Sequence, residues 1–188
     1  MISRFWTAPN QLTLLRLIFV PLVIMNVLDY EFRWALGLFI AAGLSDALDG
    51  LLARWLHQRS TIGEYLDPIA DKLLLSSLFL VLSFRQLIPW RFTVVVFSRD
   101  VCILVLCALV YATTPLRDFR PSIFGKLNTV AQVLALFLVL LNEVTDRNWI
   151  YVGKDYLLWA VFVLTCLSAL HYLFLLGQRL HQLPPPAK

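Results

Sequence analysis

The chain has 188 residues, a length that suits one domain or one compact membrane bundle. Sixty per cent of it is hydrophobic, 15% is charged, and its mean hydropathy is +0.75. Soluble domains are nearer half apolar and about a quarter charged, so this composition excludes an ordinary soluble domain and points to an integral membrane protein. The net charge of +4 reads as positive-inside topology and gives no reason to expect a nucleic-acid partner.

A membrane-crossing helix needs about 20 mostly apolar residues. Six such stretches are predicted in chain order: 11–28, 33–54, 68–88, 91–111, 125–143 and 156–176. Barrel strands would alternate over shorter segments, so these continuous runs predict an all-α bundle of six transmembrane helices. Residues 1–9 place Ile2, Phe5 and Trp6 beside Arg4. They fit either a short interfacial helix or a disordered start. Arg16 interrupts the first apolar run and no small-residue cleavage site follows, so no signal peptide is read. With no internal repeat, residues 1–188 form a single membrane domain. Residues 181–188, containing "QLPPPAK", are expected to be a disordered tail.

Six spans put both termini on one side. That side gathers Arg4, Arg16, Arg54, Arg59, Lys72, Arg117, Arg120, Lys126, Arg179 and Lys188. The other side has Arg33, Arg85, Arg91, Arg147 and Lys154. The imbalance predicts cytoplasmic termini, in a bacterial inner membrane. Cys102, Cys107 and Cys166 lie in apolar runs without metal-like spacing and read as packing residues. His171 reads as a packed helix residue, and His57 and His181 as solvated loop residues. Trp6, Trp90 and Trp149 read as interfacial aromatics.

The second stretch ends in "DALDGLLAR", where charge is expensive. On a helix, Asp46 and Asp49 share a face, and so do Asp67 and Asp71. Four carboxylates from two consecutive helices would repel one another unless a cation compensates. An all-oxygen set suits a hard divalent ion, Mg²⁺ or Mn²⁺, and four carboxylates suffice for two such ions. Paired ions suit displacement at phosphorus. Gly50 and Ala53 leave room beside them, and Arg54 offers a fork suited to phosphate. The bland alternatives are helix-end aspartates, with Asp67 before Pro68 as an N-cap. They fit a single aspartate better than the whole spacing.

The pattern Asp46-x2-Asp49-Gly50-x2-Ala53-Arg54-x8-Gly63-x3-Asp67-x3-Asp71 resembles the signature of the CDP-alcohol phosphatidyltransferases at every specified position. The six-helix layout resembles that family too. Its members replace the CMP of a CDP-linked lipid by an alcohol. The resemblance implies that Asp46, Asp49, Asp67 and Asp71 hold two divalent cations, Mg²⁺ or Mn²⁺, and that Asp71 is the general base. It implies contacts to the CDP-lipid from Asn10, Thr13, Gly50, Ala53, Arg54, Ser60 and Gly63. It also implies CDP-diacylglycerol as donor, a lipid bilayer as surroundings and a homodimer.

The start "PNQLTLLRLIFVPLV" resembles the glycerol branch of that family. Glycerol-3-phosphate, giving phosphatidylglycerophosphate and CMP, is the acceptor placed first. Phosphatidylglycerol, giving cardiolipin, is the alternative, because "SRD" at 98–100 and "GKLNTVAQ" at 125–132 resemble the cardiolipin synthases. Arg99 and Asp100 sit within a span and therefore need a partner or a polar cavity. Arg117, Arg120 and Lys126 read either as positive-inside anchors or, with Arg99 and Asp100, as an acceptor pocket. Ser168 and Tyr172 fit both branches. Two other classes stay open: a small transporter using Arg99, Asp46 and Asp71, and a non-catalytic protein that binds CDP-lipid.

Overall fold

A computed structural model gives the fold. It describes the backbone of residues 8–56, 61–113, 123–145 and 147–181, and the side chains of 17–45, 72–103, 105, 123–145, 147–172, 174 and 177. The described residues form six α-helices and no strand: α1 Ala8–Leu28, α2 Phe32–Leu56, α3 Thr61–Phe84, α4 Trp90–Thr113, α5 Ile123–Val144 and α6 Asn148–His181.

The helix count agrees with the sequence, but both ends of α3 and of α6 move, and α3 stops at Phe84 rather than near residue 88. α3 begins at Thr61 and not near residue 68. The stretch "TIGEYLD" is too polar to register as apolar, yet it continues the helix of the apolar run behind it. Asp67 thus lies inside α3, which removes its N-cap reading. α6 begins at Asn148 and not near residue 156, because Lys154 and Asp155 interrupt the hydropathy without interrupting the helix. It ends at His181, so that residue is helical and not in a loop. The segments 1–7 and 182–188 lie outside the described residues, with Trp6 and the remaining tail; His57 and Ser60 do too.

Among the described residues, α5 and the Asn148–Tyr172 part of α6 are long and apolar enough to cross a membrane. α1, α2 and α3 contribute shorter apolar stretches, Leu17–Leu28, Phe32–Ser45 and Lys72–Phe84.

The turns at 29–31 and 85–89, and the short link between α5 and α6, reverse the chain at one end of the bundle. The first two close as Schellman motifs. Glu31 N–H reaches Asn26 C=O at 2.9 Å and Leu87 N–H reaches Leu82 C=O at 2.9 Å. The residues before them, Tyr30 and Gln86, adopt φ of 62° and 61°. The two turns meet, since Arg85 Nη1 donates to Tyr30 Oη at 2.7 Å. The start of α1, the end of α2 and the start of α3 therefore share the opposite end, as do the end of α4 and the start of α5.

α1 packs on α2 and α3, α2 and α3 pack on α5, α5 on α6, and α4 on α3 and α6. The core where they meet is apolar, with Val27, Phe39, Leu78, Phe79, Leu82, Leu136 and Leu140 almost fully buried. Large apolar side chains such as Met25, Leu44, Val94 and Val130 point outward instead. That outer surface suits lipid better than water. Trp90 and Trp149 are exposed near the helix ends.

Candidate functional site

The carboxylates predicted to bind metal fall on two helix segments at the same end of the bundle. Asp46, Asp49, Gly50, Ala53 and Arg54 lie on the last three turns of α2. Gly63, Asp67 and Asp71 lie on the first three turns of α3. Asn10 and Thr13 lie on the first two turns of α1, which packs against both. The side chains at these positions are outside the described residues. The donor set itself fits a pair of hard divalent ions: all oxygen, and four carboxylates on consecutive helices. Among the described residues no other cluster of His, Cys, Asp and Glu could hold a metal.

One residue beyond Asp71, the side chains are described and they form a chain of polar contacts across the bundle. Lys72 Nζ on α3 lies 2.9 Å from Asp100 Oδ1 and 3.1 Å from Oδ2 on α4. Arg99 Nη1 donates to the same Oδ1 at 2.7 Å. Arg99 Nη2 donates to Ser168 Oγ on α6 at 2.6 Å. The Arg99 and Asp100 side chains are 8% and 11% exposed. A buried ion pair of this kind gains little net stability. Removing one partner still costs about 3–5 kcal/mol, because the other charge is left buried. The partner expected for Arg99 and Asp100 from their place in an apolar span is thus supplied by each other, Lys72 and Ser168.

Gly125 on α5 makes room for this arrangement. A Cβ there would stand 3.3 Å from Arg99 Nη2 and 3.9 Å from Ser168 Oγ. The buried stripe of α5 continues with Asn128 and Gln132, both fully buried. Thr165 Oγ1 on α6 donates to Asn128 Oδ1 at 2.9 Å. Asn128 Nδ2 and both amide atoms of Gln132 have no partner among the described residues. Such groups are uncommon in a buried position and mark a place for water or a polar ligand.

A cleft of about 550 Å³ separates α4 from α6, lined among others by Val101, Cys102, Val105, Cys166, Ala169 and Tyr172. Cys102 is exposed and Cys166 half-buried, both as free thiols. The expectation of a packing residue is corrected for Cys102, which is exposed on α4. Hydropathy alone cannot distinguish a cleft wall from an interior. Cys107 lies outside the described side chains.

Of the expected acceptor residues, Arg99 and Asp100 come together. Lys126 is exposed on the first turn of α5. Arg117 and Arg120 lie outside the described residues. His171 packs edge-on to Phe124 at 5.2 Å, as expected of a packed helix residue. Lys72, expected only as a positive-inside residue, and Asn128, Gln132 and Thr165 join the site through the packing of the helices. For Lys72 the available signal was its place directly behind Asp71. For Asn128 and Gln132 it was their four-residue spacing on one helix face.

A family profile, CDP-alcohol phosphatidyltransferase, matches residues 6–169. A human protein named cardiolipin synthase (CMP-forming) is 32% identical over 192 residues, covering 93% of this chain and 62% of its own length. A Streptomyces coelicolor protein of the same name is 38% identical over 157 residues, 79% of this chain and 70% of that protein. A Bacillus subtilis protein named CDP-diacylglycerol–glycerol-3-phosphate 3-phosphatidyltransferase is 29% identical over 180 residues, 87% of this chain and 92% of that protein. The chain therefore spans under two thirds of the human relative and nearly all of the bacillar one. The matched range spans all six helices at least in part, and the chain belongs to the CDP-alcohol phosphatidyltransferase family.

Proposed function

We propose that the protein is a phospholipid-synthesising transferase of the cytoplasmic membrane. It moves the phosphatidyl group of CDP-diacylglycerol to a glycerol-type acceptor and releases CMP. The acceptor proposed is phosphatidylglycerol, giving cardiolipin. The first sequence preference, glycerol-3-phosphate, becomes the second reading. The observation that carries this choice is the contact of Arg99 with Asp100 and Ser168. It makes the "SRD" segment a built polar site, and "SRD" resembles the cardiolipin synthases. The names of the human and Streptomyces relatives agree with it. The name of the Bacillus relative favours the second reading.

The mechanism follows from where the residues lie. Asp46, Asp49, Asp67 and Asp71 would hold two divalent cations, Mg²⁺ or Mn²⁺, which when bound supply charge neutralisation for the diphosphate. Asn10, Thr13, Gly50, Ala53, Arg54, Ser60 and Gly63 would take the CDP portion. Arg54 offers its guanidinium to a phosphate. Asp71 takes the proton of the acceptor hydroxyl. The freed oxygen bonds to the lipid-side phosphorus, the bond from that phosphorus to the CMP oxygen breaks, and CMP leaves with the bonding pair. Arg99 and Asp100 orient the acceptor. Six membrane crossings, cytoplasmic termini and a homodimer complete the proposal. A phosphodiester reacting at the membrane surface, with its acyl chains in lipid, explains why carboxylates stand at the ends of apolar helices.

The test is purified protein with labelled CDP-diacylglycerol and Mg²⁺ or Mn²⁺, offered phosphatidylglycerol and glycerol-3-phosphate separately. Cardiolipin and CMP from the first acceptor are expected. Phosphatidylglycerophosphate alone would establish the second reading. No CMP with either acceptor would leave a transporter or a CDP-lipid-binding protein. Asp71→Asn is expected to abolish turnover while retaining CDP-diacylglycerol binding, and full activity in that variant would end the general-base assignment.

A further inference from the structure

The cleft between α4 and α6 has no role in the transfer chemistry above. Its volume of about 550 Å³ lies in the range of small-molecule sites. Val95, Val101, Ile103, Val105 and Ala169 give it apolar walls. A cavity with such walls is a poor site for water and a good one for hydrocarbon.

Arg99 is the charged exception in the lining. Its side chain is 8% exposed. Nη1 and Nη2 are taken by Asp100 and Ser168, and the buried Nε has no partner among the described residues. A buried N–H in that state carries a desolvation cost that an incoming acceptor atom would relieve. Lys72 and Arg99 also share a single carboxylate, Asp100. Among the described residues, two cations against one anion leave this cluster one positive charge in excess. It is matched by one negative charge, and a phosphodiester carries one.

We propose that the cleft binds an acyl chain of the acceptor lipid, whose phosphodiester is held by the excess positive charge of Arg99 and Lys72. The proposal rests on the reading of a lipid acceptor and adds the place where that lipid is held. The chain lies along α4 and α6, and its phosphate sits on α4. Asp100 and Lys72 couple that position to α3, one residue from Asp71. A water-soluble acceptor would leave the apolar walls unused.

The experiment uses the full chain in detergent micelles with CDP-diacylglycerol and three acceptors: dioleoyl phosphatidylglycerol, dihexanoyl phosphatidylglycerol and chainless glycerophosphoglycerol. With the two lipid acceptors at equal mole fraction in the micelles, where both chains start in hydrocarbon, dioleoyl phosphatidylglycerol is expected to show a several-fold lower KM than the dihexanoyl lipid. Ala169→Phe, which fills the cleft, is expected to reduce that preference several-fold. Val105→Phe serves if the first variant does not fold, judged by its thermal transition. An unchanged preference in a folded variant overturns the proposal, and so does wild-type protein indifferent to chain length. A raised KM for CDP-diacylglycerol instead would give the cleft to the donor's chain. Oxidative cross-linking of Cys102 between two copies would make it a dimer interface. Either result overturns the proposal. Absence of any cardiolipin from wild-type protein is a different outcome, since it removes the lipid-acceptor reading itself.

Discussion

Lys72 and Asp100 join α3 to α4 through contacts of 2.9 and 3.1 Å, directly behind the last aspartate of the family pattern. The Lys72 side chain is 37% exposed and that of Asp100 11%. The pair therefore adds little stability of its own, within about 1 kcal/mol once solvent screening is counted. Its consequence is positional. It ties the carboxylate that receives Arg99 to the helix that carries Asp71.

Lys72→Met and Asp100→Asn are therefore expected to differ. Lys72→Met leaves Arg99 paired and should lower the thermal transition only slightly. Asp100→Asn leaves the Arg99 guanidinium buried without a counter-charge and should cost about 3–5 kcal/mol. Thermal unfolding of both variants in detergent measures the difference. Equal losses would mean that Lys72 and not Arg99 dominates the cluster.

Gly125 offers a cleaner separation of stability from activity. Gly125→Ala gains about 1 kcal/mol of helix propensity. Its methyl, however, would lie 3.3 Å from Arg99 Nη2, so the guanidinium has to shift by a few tenths of an ångström. The transition temperature is expected to hold or rise while the KM for the acceptor rises several-fold and that for CDP-diacylglycerol stays constant. Steady-state kinetics with each substrate varied in turn decides this.

The buried amides of α5 give two opposite expectations. Thr165→Val removes the hydrogen bond to the Asn128 amide and should cost about 1–3 kcal/mol. Gln132→Leu removes an amide whose two polar atoms lack partners among the described residues. It should be neutral or stabilising by up to about 2 kcal/mol. A marked loss of stability in Gln132→Leu would show that ordered water or a ligand normally satisfies that side chain.

The proposed divalent site has its own signature. Chelation is expected to abolish CMP release and Mg²⁺ or Mn²⁺ to restore it. Asp46→Asn, Asp49→Asn and Asp67→Asn should each raise the metal concentration needed for half-maximal activity. Cation titrations of CMP release check this. An unaltered requirement in all three variants would remove these residues from the site.

The sequence alone determined the helices and the family. Length of apolar run and spacing of three or four residues are local properties, and they specify six helices and paired aspartates without reference to anything distant. They fail where polar residues continue a helix, as at Thr61 and Asn148, since hydropathy reports burial or lipid contact and not backbone conformation. The partners were decided by the tertiary structure. Lys72 and Asp100 are 28 residues apart, Asn128 and Thr165 37, and Arg99 and Ser168 69. Periodicity says which face of a helix a residue occupies, but only packing brings two such faces together. The cleft between α4 and α6 has the same origin: its walls belong to two helices far apart in the chain, so no local pattern could reveal it.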